Sequence, residues 1–188
     1  MGAPELRRRL RVTALPETAL ICRVPEAERY ISQYRQRFDP SARRNVPAHV
    51  TILYPFMAPD LVDASVLATL QGIADTVPCF NYRMAETRRF PVALYLAPDP
   101  DTSFAALTDR VFRAFPDFPP FEGKFETVVP HITVAHGDEP LLCEIEVELR
   151  IALSGAGVRA RCSELVLIEN SSGRWEQMHV FRLAASEI

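Results

Sequence analysis

Two short apolar runs each carry a histidine and a threonine two residues apart: "VPAHVTILYPF" at 46–56 and "VPHITVAH" at 129–136. Successive side chains on a β-strand face opposite ways, so His49 and Thr51 share one face while Val50, Ile52, Tyr54 and Phe56 share the other. In the second copy Ile132 and Val134 do the packing, and His131 and Thr133 point away from it. His136, five residues after His131, falls on the opposite face of a regular strand and reads as structural. From four histidines and ten threonines the composition predicts about 0.2 such pairs by chance, and two copies only about 0.02 of the time. A chain of two related halves, each presenting one polar pair to the space between them, is the simplest fold that explains the doublet.

The rest of the chain supplies elements for such halves. "ALICRV" at 19–24 reads as a strand, and Pro25 opens a helix over 25–38 in which Tyr30, Ile31, Tyr34 and Phe38 recur at helical spacing. Asp60 is placed to cap a second helix over 61–76. "FNYRMAETRRF" and "VALYLAP" read as a strand pair, and Thr102 or Ser103 starts a third helix that ends before the proline-rich "PDFPPFEG". Residues 143–153 alternate like a strand but also fit a helix face. Asp138 as cap, Pro140 in the first turn and Gly155 as stop favour the helix. "ARCSELVLIE" and "WEQMHVFRLA" close the chain as two strands around the turn "NSSGR". Strands interleaved with helices predict an α+β protein, one domain over residues 1–188 made of two interleaved lobes.

Composition narrows the functional classes. The chain is 48% hydrophobic and 24% charged, as globular proteins are. No run approaches the ~18 apolar residues that span a bilayer, and the first twenty residues lack the apolar core of a signal peptide, so no membrane association is expected and a cytoplasmic protein is. A net charge of −3 argues against an extended duplex-binding face; any nucleic-acid contact is expected to be short and local. Arg43 with Arg44, Arg88 with Arg89, and Arg7, Arg8 and Arg9 supply candidates for local positive potential. The four cysteines, Cys22, Cys79, Cys143 and Cys162, are widely spaced in apolar settings and read as buried free thiols.

Two histidines and two hydroxyls suit a particular chemistry. An unperturbed imidazole titrates near pH ~6.5, so one of a facing pair can accept a proton while the other donates one. A threonine hydroxyl donates a hydrogen bond to a phosphate oxygen without adding charge. Cleavage or ring opening of a phosphodiester fits both. Zinc is the competing use, but a catalytic zinc takes three protein ligands, threonine is a poor one, and no Asp or Glu lies between residues 41 and 59.

With these residues in place, the chain resembles the 2H phosphoesterase superfamily, the 2′-5′ RNA ligase-like proteins, which carry two H-x-[TS]-x motifs. "HVTI" at 49–52 and "HITV" at 131–134 both match, as do their flanks, and the order of strands and helices extends the resemblance over residues 18 to 183. The resemblance implies a bilobal α+β fold with pseudo-twofold symmetry, antiparallel sheets lining a central cleft and helices outside. It implies His49 and His131 as the acid/base pair, and Thr51 and Thr133 as donors to phosphate oxygens. It further implies an RNA end or nucleotide phosphoester as substrate, a 2′,3′-cyclic phosphate or a 2′-5′ linkage, with no metal or other cofactor. The rival class is a binding module that holds an RNA end or nucleotide in the same cleft without turnover.

Other candidates come from the alternation of "VALYLAP", which sends Tyr95 to the face opposite Val92, Leu94 and Leu96. There it can line the cleft and bind substrate by stacking on a base. Phe90, Phe121 and Phe125 read as loop anchors, and Trp175 and His179 as structural residues on the last strand.

Overall fold

The computed structural model describes residues 15–153 and 157–185. Arg7, Arg8, Arg9 and Gly155 lie outside the described residues. Eight strands are present among those described: β1 (Thr18–Arg23), β2 (His49–Leu53), β3 (Phe80–Phe90), β4 (Ala93–Asp99), β5 (Ile132–His136), β6 (Val158–Cys162), β7 (Glu164–Glu169) and β8 (Glu176–Arg182). The helices are α1 (Pro25–Phe38), α2 (Pro40–Arg43), α3 (Ala64–Asp75), α4 (Thr102–Ala114) and α5 (Glu139–Leu153). The strands form two antiparallel sheets in the orders β2-β1-β7-β8 and β5-β4-β3-β6. This is the α+β architecture of two related sheets expected from the doublet.

Local sequence accounts for the helices. Pro25 occupies the first turn of α1, with Glu26 and Glu28 near its positive end and Arg35 and Arg37 near its negative end, which suits the helix dipole. Asp63, not Asp60, caps α3: its carboxylate accepts from the Val66 amide at 2.9 Å, because Pro59–Leu61 form a separate 3₁₀ turn ahead of it. Residues 143–153 are helical, with Leu142, Ile145, Leu149 and Leu153 buried at three- and four-residue spacing. Asp138 caps this helix, accepting from the Leu141 amide at 3.2 Å.

"ARCSELVLIE" is not one strand. It breaks at Ser163, so that β6 pairs with β3 in one sheet while β7 pairs with β1 and β8 in the other. The turn between β7 and β8 needs Gly173, whose φ of 84° lies in the left-handed region. Helix α1 links β1 to β2 yet packs on β5, and α4 links β4 to β5 yet packs on β2, so each half lays its helix across the other half's His-x-Thr strand. Leu20, Cys22, Leu165 and Leu167 from one sheet and Met84, Leu94 and Leu96 from the other meet Ile31 and Phe104 in a shared core.

A smaller apolar cluster, Ala19, Ile21, Val46, Val166, Ile168 and Trp175, covers the opposite face of the first sheet. Strands β1 and β7 are therefore apolar on both faces. Cys22 and Cys162 are buried as expected, Cys79 is half-buried, and Cys143 is exposed because it falls on the outer side of α5. No helix among the described residues is long and apolar enough to cross a membrane.

Candidate active site

Both His-x-Thr segments follow one burial pattern. His49 and Thr51 are half-exposed, Val50 is buried, Ile52 and Leu53 are both buried, and Tyr54 turns back out. Along the second copy His131 and Thr133 are half-exposed, Ile132 is buried, Val134 and Ala135 are both buried, and His136 turns out. Paired β-bulges are the cause. Leu20 stands opposite Leu53 and Ile21 opposite Thr51, so Ile52 has no partner; Leu94 stands opposite Ala135 and Tyr95 opposite Thr133, so Val134 has none. A bulge inserts one residue and reverses the alternation beyond it. Tyr54 and His136 consequently join the histidine face, where regular alternation had placed both on the other side.

Each imidazole is anchored alike. Nδ1 of His49 lies 2.7 Å from the Pro47 carbonyl oxygen, and Nδ1 of His131 lies 2.7 Å from that of Val129. A carbonyl only accepts, so Nδ1 carries the proton in both rings and leaves Nε2 for proton transfer.

The structure brings His49, Thr51, His131 and Thr133 to one cavity of about 460 Å³. Tyr54, Phe121, His136 and Arg44 join them, and Ala19, Ile21, Val46, Ile168 and Trp175 give it an apolar wall. Asp39 also borders it, but its carboxylate is held by Arg35 Nε at 3.0 Å and by Ser41, which spends its charge inside the protein. The remaining ionisable groups on the cavity are three histidines, Tyr54 and Arg44, a set suited to an anion. Among the described residues no three His, Cys, Asp or Glu are grouped to hold a metal ion.

Burial first, then the Arg35 guanidinium and finally His131, holds the His49 imidazole down at about 4, against the Pro47 hydrogen bond and the Asp39 carboxylate. Burial lowers His131 as well, with His136 adding to it and the Val129 hydrogen bond opposing. A histidine whose folded pKa lies below its unfolded value of ~6.5 leaves the unfolded chain binding more protons over that interval, so stability falls as pH drops through it. The urea midpoint is therefore expected to decline from pH 7 to pH 4.5, and to decline less in His49→Ala, measured by circular dichroism. An equal decline in both proteins would remove His49 as a source of the pH dependence.

Tyr95 does not line the cavity. It is buried and stacked on Phe90 with centroids 4.4 Å apart, so its ring face is taken by the protein and not left for a base. Both rings stand against His131, at 5.1 Å from Phe90 and 5.2 Å from Tyr95, and position the imidazole. Phe121 and Trp175, read as an anchor and a structural residue, line the cavity. The signal that marked their wall was the unbroken apolar run in "ALICRV" and "ELVLIE": an antiparallel strand with one solvated face alternates, and these do not.

Comparison with known proteins follows the same outline. A family model described as the 2′-5′ RNA ligase superfamily matches residues 24–174. A protein of Bacillus pumilus (strain SAFR-032), a candidate phosphoesterase by its name, is 33% identical over 108 residues, which span 55% of this chain and 60% of that protein, under two thirds of its length. TT0787 of Thermus thermophilus superposes with a TM-score of 0.59 at 15% identity, covering 91% of this chain and 100% of that one. LigT of Escherichia coli, solved with NADP+ and with 3′-AMP, superposes with a TM-score of 0.55 at 17% identity, covering 91% and 99%. These two likenesses show the fold.

Proposed function

The chain belongs to the 2′-5′ RNA ligase superfamily, and we propose that it is a phosphoesterase that opens a 2′,3′-cyclic phosphate or cleaves a 2′-5′ linkage of an RNA end or nucleotide by two-histidine acid/base catalysis. The observation that carries this reading is the pair of matched bulged strands, which deliver two anchored imidazoles and two hydroxyls to one cavity. The named phosphoesterase relative and the nucleotides bound to LigT support it from outside the chain.

In a hydrolysis, water attacks phosphorus while one Nε2 takes its proton. The bond from phosphorus to the departing ribose oxygen breaks, and the other imidazole, protonated, gives that oxygen its proton. Thr51 and Thr133 donate to the non-bridging oxygens, whose charge rises in the transition state, and Arg44 offsets that charge. Both free imidazoles are held low, so the phosphate anion itself supplies the field that raises one of them to its acid form.

The test is a screen of 2′,3′-cyclic nucleotides, short RNAs with cyclic-phosphate ends and 2′-5′-linked oligonucleotides, each with EDTA present. Turnover of at least one class, undiminished by EDTA, is the expected result. Binding of these compounds with no turnover would leave the binding module as the function, and strong inhibition by EDTA reversed by zinc would move the chemistry to a metal.

A further inference from the structure

Two imidazoles, two hydroxyls and Arg44 meet one phosphate in the cavity, but positive charge continues past its rim. Arg37, Arg43, Arg44 and Arg174 are all exposed, and among the described residues none of them makes an ion pair. Arg23, Arg83, Arg88, Arg89, Arg113 and Arg150, by contrast, each sit against a carboxylate. In a chain of net charge −3, uncompensated guanidiniums beside the cavity reverse the sign of the local field.

The backbone gathers these side chains from three segments. Asn45, at φ of 76° in the left-handed region that asparagine tolerates, follows the single turn of α2 and its two arginines, Arg43 and Arg44. The turn between β7 and β8 is tied to this segment. The Trp175 amide donates to the Arg44 carbonyl at 2.8 Å and the Asn45 side chain donates to the Trp175 carbonyl at 3.0 Å, which sets Arg174 beside Arg44. Arg43 donates through Nη1 to the Arg37 carbonyl at 3.2 Å, at the end of α1, and its other N–H groups remain for a ligand. The acids of the turn are engaged within it: Glu169 accepts from the Ser171 amide at 2.6 Å and Glu176 from Ser172 Oγ at 2.7 Å.

A free mononucleotide 2′,3′-cyclic phosphate carries one phosphate, and the cavity groups suffice for it. An RNA end carries a second, the 5′-phosphate of its terminal nucleoside, and a guanidinium fork matches phosphate oxygens two at a time. We infer that Arg43 and Arg174 take this 5′-phosphate, with Arg44 between them and the reacting ester, so that the preferred substrate is an RNA end and not a free mononucleotide. The proposal rests on the phosphoesterase reading and narrows it to chain ends.

Three esters with the same terminal base test it: a 2′,3′-cyclic mononucleotide, a dinucleotide with a 2′,3′-cyclic phosphate end, and that dinucleotide with its linkage replaced by a neutral methylphosphonate. The charged dinucleotide is expected to exceed the mononucleotide in kcat/KM by about 10-fold at low salt, the effect of one or two hydrogen bonds to a charged group. The neutral dinucleotide should match the mononucleotide, because it keeps the second base and sugar and lacks only the charge. The advantage should shrink as salt is raised. Arg43→Gln with Arg174→Gln is expected to bring the ratio of charged dinucleotide to mononucleotide near one while mononucleotide turnover stays at the parental level. Measuring both substrates on one preparation cancels any loss of folded protein. Equal kcat/KM for the charged and neutral dinucleotides in the parent, or an unchanged ratio in the double variant, would overturn the assignment. A mononucleotide 2′,3′-cyclic phosphate with a free 5′-phosphate is the fourth arm: a gain there with none for the charged dinucleotide would overturn the RNA end as the source of the second phosphate. If no ester is turned over, the phosphoesterase reading fails by itself. Calorimetric titration with the charged and neutral dinucleotides, each ending in a 3′-phosphate, then decides the contact: tighter binding of the charged form upholds it and equal binding overturns it.

Discussion

Alanine at His49 or His131 is expected to lower kcat/KM on a phosphodiester by about 10²- to 10⁴-fold, the range for a positioned proton transfer. Each ring is held by one hydrogen bond from Nδ1 to a carbonyl two residues upstream, His131 packs in addition against Phe90 and Tyr95, and both rings line the cavity. Truncation should therefore remove a proton carrier without opening the core, and circular dichroism of the variants should match the parent. The double variant is expected to lose much less than the product of the two single losses, because an acid without its base is already badly handicapped. A bell-shaped pH profile in the parent would belong to the coupled pair and not to either ring. Near-parental turnover by both single variants would show that the two histidines serve something other than proton transfer.

The second large effect concerns stability. Arg35 and Asp39 are each only 2% exposed and face one another one helical turn apart, their nitrogen and oxygen 3.0 Å apart. Arg35 also donates to the Val46 carbonyl at 3.2 Å and to Ser41 Oγ at 3.3 Å, while Asp39 caps α2 by accepting from the Ser41 amide at 2.9 Å. One guanidinium thus ties together residues 39–46, the segment that carries Asp39, Ser41, Arg44 and Val46 to the cavity. Arg35→Met leaves the Asp39 carboxylate buried and without its cation, and a loss of about 3 to 5 kcal/mol is expected in urea unfolding. Adding Asp39→Asn should recover part of it by removing the stranded charge. By contrast the exposed pair of Arg113 and Asp109 should contribute no more than about 1 kcal/mol. Arg35→Met should also let the His49 pKa rise, since the guanidinium is one of the causes holding it low. A loss below about 1 kcal/mol in Arg35→Met would mean that water or a neighbouring group compensates Asp39.

What the sequence disclosed and what it hid divide along a physical line. The polar pairs at 49/51 and 131/133 were legible because a period of two survives as far as the threonine. Beyond it the bulges at Ile52 and Val134 reverse the faces, and no residue type announces a bulge, so Tyr54 and His136 were assigned to the wrong side. The helix over 143–153 was resolved against its alternation by capping chemistry at Asp138. The division of 160–169 between two sheets was not legible, since Ser163 is neither Gly nor Pro and the apolar pattern runs straight through it. Tyr95 was placed on the correct face of its strand, but whether a ring is free or covered depends on Phe90, a neighbour across the hairpin whose approach no local pattern encodes. Trp175 precedes a strand with an outer face, and only the pairing of β7 with β1 shows that its own surroundings are the cavity wall.

The order of strands in the first sheet has a bearing on how the chain is made. Strand β1 lies between β2 and β7, and β7 begins only at Glu164. During synthesis from the N-terminus, the strand that carries His49 finds its partner β1 early, but the other edge of β1 stays unpaired until β7 has left the ribosome. Throughout that interval a hydrogen-bonding edge with apolar side chains on both faces is exposed to solvent, a template for pairing with other nascent chains. Completion of the His49 half is thus timed by the emergence of β7 and β8, and any pause in translation before residue 164 prolongs the period in which the half-built sheet can recruit a foreign strand.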